Sequence, residues 1–317
     1  MKQSMKVLVA YDGSPYAGAA LADLRRSGLP RDSSILVATV SEVFPPAPPS
    51  SGEEATEAVL ASSRVSTALA RAHERAIKAR GDAHQTAAGA CERVRALGRS
   101  WEVSAEALSG APAREIIRRA QEWRADLVVA GTQGLSAIGR FLLGSVSKSV
   151  AADAHCSVRV ARPAARRAHA PGPRLVVGID GSPGAAKAVR AFGRRAWPRG
   201  AEVLLVAVDD GTGPHRLADL PTSIDPLFGG DDGAGPVNAR LMAEAAGVLL
   251  RAEGLNASVE VLQGDPRLVL PERAQEWGAD CVFVGSRGAD GERDETGLGG
   301  VATALVTGAP CSVEVAR

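Results

Sequence analysis

The sequence is short of the features that announce the commoner ligands. Phe, Trp and Tyr make up only 3% of 317 residues, too few for the stacked aromatic platforms that bind single-stranded nucleic acid. Thirty-seven basic residues meet 36 acidic ones, a net charge of +1, so no electrostatic argument favours nucleic acid or an anionic membrane surface. No apolar run approaches the roughly 20 residues that cross a bilayer, and Met1–Lys6 leads straight into a β-like run without a signal-peptide core. The four cysteines, Cys91, Cys156, Cys281 and Cys311, are scattered with no C-x-x-C pair. A disulfide framework and a zinc site are therefore disfavoured, and a reducing cytoplasm is expected. His73, His84 and Cys91 lack metal-ligand spacing. No metal site is expected, nor a catalytic residue: His155 invites that reading, but Pro310 stands at its counterpart.

What the chain does have is a repeat. Val7-Leu8-Val9-Ala10-Tyr11-Asp12-Gly13-Ser14-Pro15 returns 168 residues later as Leu175-Val176-Val177-Gly178-Ile179-Asp180-Gly181-Ser182-Pro183. Ala120–Asp126 returns as Ala274–Asp280, offset by 154, and Cys156–Arg162 as Cys311–Arg317, offset by 155. Three matches in one order mean one domain written twice, over 1–162 and 174–317, with roughly a dozen extra residues inside the first copy. The Pro- and Arg-rich stretch between them reads as a stiff, solvated connector.

Within each copy the pattern alternates strand and helix. The first copy has strands near 7–11, 35–40, 101–108, 127–130 and 157–161. The second has them near 175–179, 203–208, 257–262, 281–284 and 312–316. Continuous apolar strands separated by helices call for a parallel sheet covered on both faces. Ser14-Pro15 supplies a helix N-cap and first-turn proline. Phe44–Gly52 reads as a loop. Glu53–Gly98 reads as a helical region rich in Ala and Arg, with Gly81 a candidate break. In such folds a ligand sits beyond the carboxyl ends of the strands, where the strand order reverses.

That rule points to Gly131-Thr132-Gln133-Gly134 after the fourth strand, followed nine residues later by Gly144-Ser145-Val146-Ser147. Glycines let backbone N–H groups approach an anion, and a helix beginning at Gly144-Ser145 offers unpaired N–H groups and a positive dipole end. Ser145 and Ser147 can donate hydroxyls or cap the helix, and Asp12 lies on the same rim. Taken singly, each element is also an ordinary turn; their combination on one rim favours a ligand.

Gly131, Gly134, Gly144 and Ser145 fit the signature G-x2-G-x9-G-[ST] at every position, and here the chain resembles the universal stress protein family in its tandem form. The resemblance runs over nearly the whole chain and is weakest in the Phe44–Gly98 region. It implies two five-stranded, Rossmann-like domains of the adenine nucleotide alpha hydrolase-like kind. It also implies ATP or a related adenine nucleotide, with Mg2+ as a possible companion. By position, Ala10, Tyr11 and Asp12 would lie along the ribose and adenine, and the backbone at Val40 would read the adenine edge. Ala130, Gly131, Gly134, Gly144, Ser145, Val146 and Ser147 would hold the phosphates. Pairing of the two domains through their fifth strands is implied too, with a further homodimer open.

The second copy departs from the signature. Asp180, Val208, Gly285 and Gly288 match, but ten residues precede Gly299 and Gly300 replaces the serine. Residues 286–298 carry a net charge of −2, where 132–143 carry +1. Negative charge beside a triphosphate is unfavourable unless a metal intervenes, so the first copy is expected to hold the competent site. A nucleotide-sensing module of the stress response is the leading expectation. The alternatives are a slow ATPase or nucleotide-transfer enzyme, which lacks a P-loop lysine here, and a protein-interaction scaffold.

Overall fold

A computed structural model describes residues 4–43, 63–97, 100–132, 143–163, 172–210, 239–288 and 297–317. The first repeat contributes β1 (Lys6–Ala10), α1 (Pro15–Asp23), β2 (Ser34–Ser41), α2 (Ser63–Arg95), β3 (Glu102–Ser109), α3 (Pro112–Trp123), β4 (Leu127–Gly131), α4 (Ser145–Asp153) and β5 (Ser157–Ala161). The second contributes β6 (Arg174–Ile179), α5 (Pro183–Gly193), β7 (Glu202–Asp209), α6 (Ala239–Ala252), β8 (Asn256–Gln263), α7 (Pro266–Trp277), β9 (Cys281–Gly285), α8 (Gly300–Gly308) and β10 (Ser312–Ala316). Each repeat is an α/β unit with five parallel strands.

All ten strands join one sheet in the order β3-β2-β1-β4-β5-β10-β9-β6-β7-β8. Pairing is parallel within each repeat and antiparallel only where β5 meets β10, with Val160 opposite Val313, Arg159 opposite Glu314 and Val158 opposite Val315. One face buries a continuous apolar layer running through both repeats, from Leu8 and Val128 through Val158 and Val313 to Val282 and Leu204. The opposite face carries two separate layers. Val7, Val9, Leu21 and Cys91 pack under α1 and α2, and Val177, Phe192, Phe283 and Met242 under α5 and α6.

Local chemistry explains the helix starts. Ser14 Oγ accepts from the Ala17 N–H at 3.1 Å and Ser182 Oγ from the Ala185 N–H at 3.0 Å, each followed by a first-turn proline. The dozen extra residues of the first repeat fall where α2, 33 residues long, stands in place of the 14-residue α6. Gly81 does not break α2, contrary to the sequence expectation. Ala83, Ala87, Ala90, Cys91 and Val94 form a buried stripe past it, and packing of that face outweighs a glycine's cost of about 1 kcal/mol against alanine. The Phe44–Gly52 loop and most of the connector (164–171) lie outside the described residues.

Candidate functional site

The sequence runs β1, β2, β3 toward one edge of the sheet and then returns to place β4 on the other side of β1. This reversal opens a crevice at the carboxyl ends of β1 and β4. Asp12 emerges there exposed, its Oδ1 accepting from the Ser14 N–H at 2.9 Å, a turn that aims the carboxylate along the rim. Across the crevice the Gly144 N–H donates to the Thr132 carbonyl at 2.6 Å, which ties the start of α4 to the end of β4. Gly144 is the N-cap of α4 in ordinary extended backbone and makes no side-chain capping bond. The first N–H groups of α4 therefore have no side-chain acceptor at the cap, and Ser145 beside them is exposed. Val40, half-buried near the end of β2, brings backbone to the same edge.

Other expected contributors do different work. Ser147 is buried and donates its hydroxyl to the Gly131 carbonyl, so it locks α4 to β4 rather than facing an anion. Tyr11 turns into the layer under α1 and α2, where its hydroxyl accepts from Arg93 Nη1 at 2.7 Å. Only its backbone stands at the rim. Ala130 is buried, Ala10 is half-buried, and Val146 packs against the core. Gly131 has a packing reason to be glycine: a Cβ there would lie 2.7 Å from the Tyr16 carbonyl oxygen of α1. Gly134 lies outside the described residues.

The second repeat builds the same frame with a different filling. Asp180 Oδ1 accepts from the Ser182 N–H at 2.9 Å, and the Gly299 N–H donates to the Ser286 carbonyl at 2.9 Å. Val208 is half-buried near the end of β7, as Val40 is on β2. Gly285 repeats the close approach of Gly131, its Cβ position 2.4 Å from the Gly184 carbonyl carbon. Gly300, exposed at the first position of α8, carries no hydroxyl where Ser145 has one. Arg287 is among the described residues, whereas its counterpart Gln133 lies outside them. The Arg287 carbonyl oxygen lies 3.5 Å from Ser182 Oγ and would stand 2.1 Å from a Cβ on Gly184. Gly288 follows, with a Cβ position 2.9 Å from Asp180 Oδ2. The segment after β9 thus settles onto the start of α5. Tyr16 occupies the place of Gly184 in the first repeat, and a Cβ at Gly184 would stand too close to the Arg287 carbonyl. This Tyr16–Gly184 exchange lies outside the signature glycines. The acidic residues at 290–295 lie outside the described residues.

All four cysteines are free thiols. Burial pushes Cys156 up to about 11 and Cys311 up to about 12, and lifts Cys281 well above its ordinary value. Among the described residues no three His, Cys, Asp or Glu side chains gather to hold a metal ion, and no helix is long and apolar enough to cross a membrane.

The model of the universal stress protein family matches residues 4–162 and again 173–317. A universal stress protein of Thermus aquaticus is 35% identical over 156 residues, 49% of this chain and 97% of that protein. One from Mycobacterium tuberculosis is 33% identical over 224 residues, 69% of this chain and 70% of that protein. The crystal structure of a universal stress protein from Archaeoglobus fulgidus aligns over 99% of both chains with a TM-score of 0.59 and 19% identity, a likeness of fold.

Proposed function

The chain belongs to the universal stress protein family, carrying the family domain twice, and from that premise we propose that its first repeat binds ATP as a sensory or regulatory module of a stress response. The observation that carries this reading is the start of α4: an N-cap glycine without a side-chain cap, an exposed serine, and a crevice at the strand-order reversal beside it. Uncapped N–H groups and the positive end of the helix dipole suit phosphate oxygens. Asp12 accepts from the sugar hydroxyls, and backbone near Val40 meets the base. Gly134 joins the phosphate loop by the family resemblance.

The second repeat binds ATP weakly or not at all in this reading, because residues 286–298 carry a net charge of −2 where 132–143 carry +1, and Gly300 offers no hydroxyl at the start of α8. Each repeat serves as the other's pairing partner. Equilibrium dialysis of labelled ATP against the full chain tests the proposal: saturable binding by millimolar ATP is expected, and none at that concentration contradicts it.

A further inference from the structure

The β5–β10 junction contains a charge arrangement that a symmetric interface does not allow. Arg159 and Glu314 are equivalent positions of the two repeats, offset by 155, and they stand directly opposite each other in the strand pairing. Any repeat paired with a copy of itself by this geometry would set the same residue against itself. Arg159 and Glu314 are both fully buried. Arg159 Nε donates to Asp23 Oδ2 at 2.5 Å and its Nη1 to Glu314 Oε2 at 3.2 Å. The other oxygen of Glu314 accepts from Arg195, whose Nη1 also reaches the Ser27 carbonyl at 3.4 Å. Asp23, Arg159, Glu314 and Arg195 thus alternate in sign, with Asp23 and Arg159 from the first repeat and the other two from the second. Burial opposes the charge on Arg159, but Asp23 and Glu314 more than offset it and hold the guanidinium well above its ordinary pKa.

Shape reinforces the alternation. Gly28 has φ +65°, and a Cβ on it would lie 2.7 Å from Trp197 Cε3. Trp197 is held in place by stacking on Phe192 with ring centres 4.7 Å apart. The equivalent of Gly28 is Ala196 and the equivalent of Trp197 is Leu29. Two second repeats would drive each Trp197 against an alanine Cβ and oppose Glu314 to Glu314. Two first repeats would oppose Arg159 to Arg159 and leave a leucine in the tryptophan's place. Like charges opposed at a buried pair of positions are destabilising.

We propose that this junction selects its partner: the β5 face of the first repeat accepts a domain carrying the Glu314–Arg195–Trp197 pattern and rejects a second copy of the first repeat. The tandem chain is then a selective internal pair, closed against homotypic pairing through this edge.

The test starts from folded full-length protein, nicked by a protease at a site introduced between 164 and 171. Labelled and unlabelled nicked protein are mixed, urea is raised until labels exchange, and native mass spectrometry counts the pairs. An excess of first-with-second pairs about tenfold or more over statistical mixing is expected; a statistical mixture overturns the proposal.

Two full-length variants separate charge from packing. Asp23→Ala/Ser27→Arg/Arg159→Glu gives the first repeat the second repeat's charge pattern without changing the cluster's net charge. Adding Ala191→Asp/Arg195→Ser/Glu314→Arg transposes the whole pattern. The first variant is expected to lower the thermal midpoint, and the transposed variant to recover most of the loss. A half-exchanged chain as stable as the wild type overturns the charge component, and so does a transposed chain that recovers nothing.

Discussion

Arg162 and Arg317 hold equivalent positions in the two repeats, and each reaches across to the last helix of the other. Arg317 Nη2 donates to the carbonyls of Ala151 and, at 2.8 Å, Ala152 near the end of α4. Arg162 Nη2 donates to Val306 at 2.7 Å and Thr307 at 3.2 Å near the end of α8. Each places a cation at the negative end of a helix dipole and satisfies carbonyls the helix leaves over. The opposite end of α4 is the proposed phosphate site, so the same helix is held by one repeat and offered to ligand by the other.

Arg317→Ala and Arg162→Ala should each destabilise the chain by about 2 kcal/mol, the scale of charge-assisted hydrogen bonds, read as a lowered denaturation midpoint. Lysine should restore only part of this, because an ammonium lacks the second nitrogen of the fork, with which Arg162 also reaches the Cys311 carbonyl and Arg317 the Cys156 carbonyl. A full recovery by lysine would show that charge alone matters.

Two glycines should respond in opposite directions. Gly81 lies in the exposed middle of α2 with nothing near its Cβ position, and Gly81→Ala should stabilise by about 1 kcal/mol. Gly131→Ala forces a methyl group against backbone of α1 and should cost about 3 kcal/mol, as overpacked sites do. Chemical denaturation of both variants checks the contrast, and an unaffected Gly131→Ala would refute the packing reason for that glycine.

The buried thiols predict an alkaline weakness. Burial raises Cys156 to about 11 and Cys311 to about 12 from a reference of 9.0. A raised pKa means that the folded state holds the proton more tightly than the unfolded chain. The resulting stability is complete below pH 9 and disappears as the pH climbs through 11 and 12. Thermal midpoints followed from pH 8 upward should fall, and a Cys156→Ala/Cys311→Ala variant should fall less steeply. Thiol reagents at pH 8 should label Cys281 and Cys311 only on unfolding.

The fold was legible because several local rules agree along the chain. Apolar runs such as Val7–Ala10 and Leu127–Ala130 mark buried strands, and Ser14-Pro15 and Ser182-Pro183 carry their own caps. The matching offsets reveal the duplication. Gly81 misled because side-chain propensity is weaker than a buried alanine stripe. The site was legible as a motif and less so as geometry. Nothing in the spacing of Ser147 tells that its hydroxyl is committed to the Gly131 carbonyl, and Tyr11 reads as a rim residue until Arg93 is seen to hold it in the core. The Arg159–Glu314 opposition required the register of two strands 155 residues apart, information that exists only once the sheet is assembled.

The central claim is that nucleotide binds at the start of α4 and not at the start of α8. Ser145 and Gly300 are equivalent, exposed, and each first in its helix, where a glutamate suits the helix dipole and leaves folding intact. Calorimetric titration of the wild type, Ser145→Glu and Gly300→Glu with ATP therefore compares the two sites directly. The account predicts a single ATP per wild-type chain, affinity reduced about tenfold or more by Ser145→Glu, and Gly300→Glu indistinguishable from wild type. Two equal sites per chain, or loss of binding in Gly300→Glu alone, would contradict it.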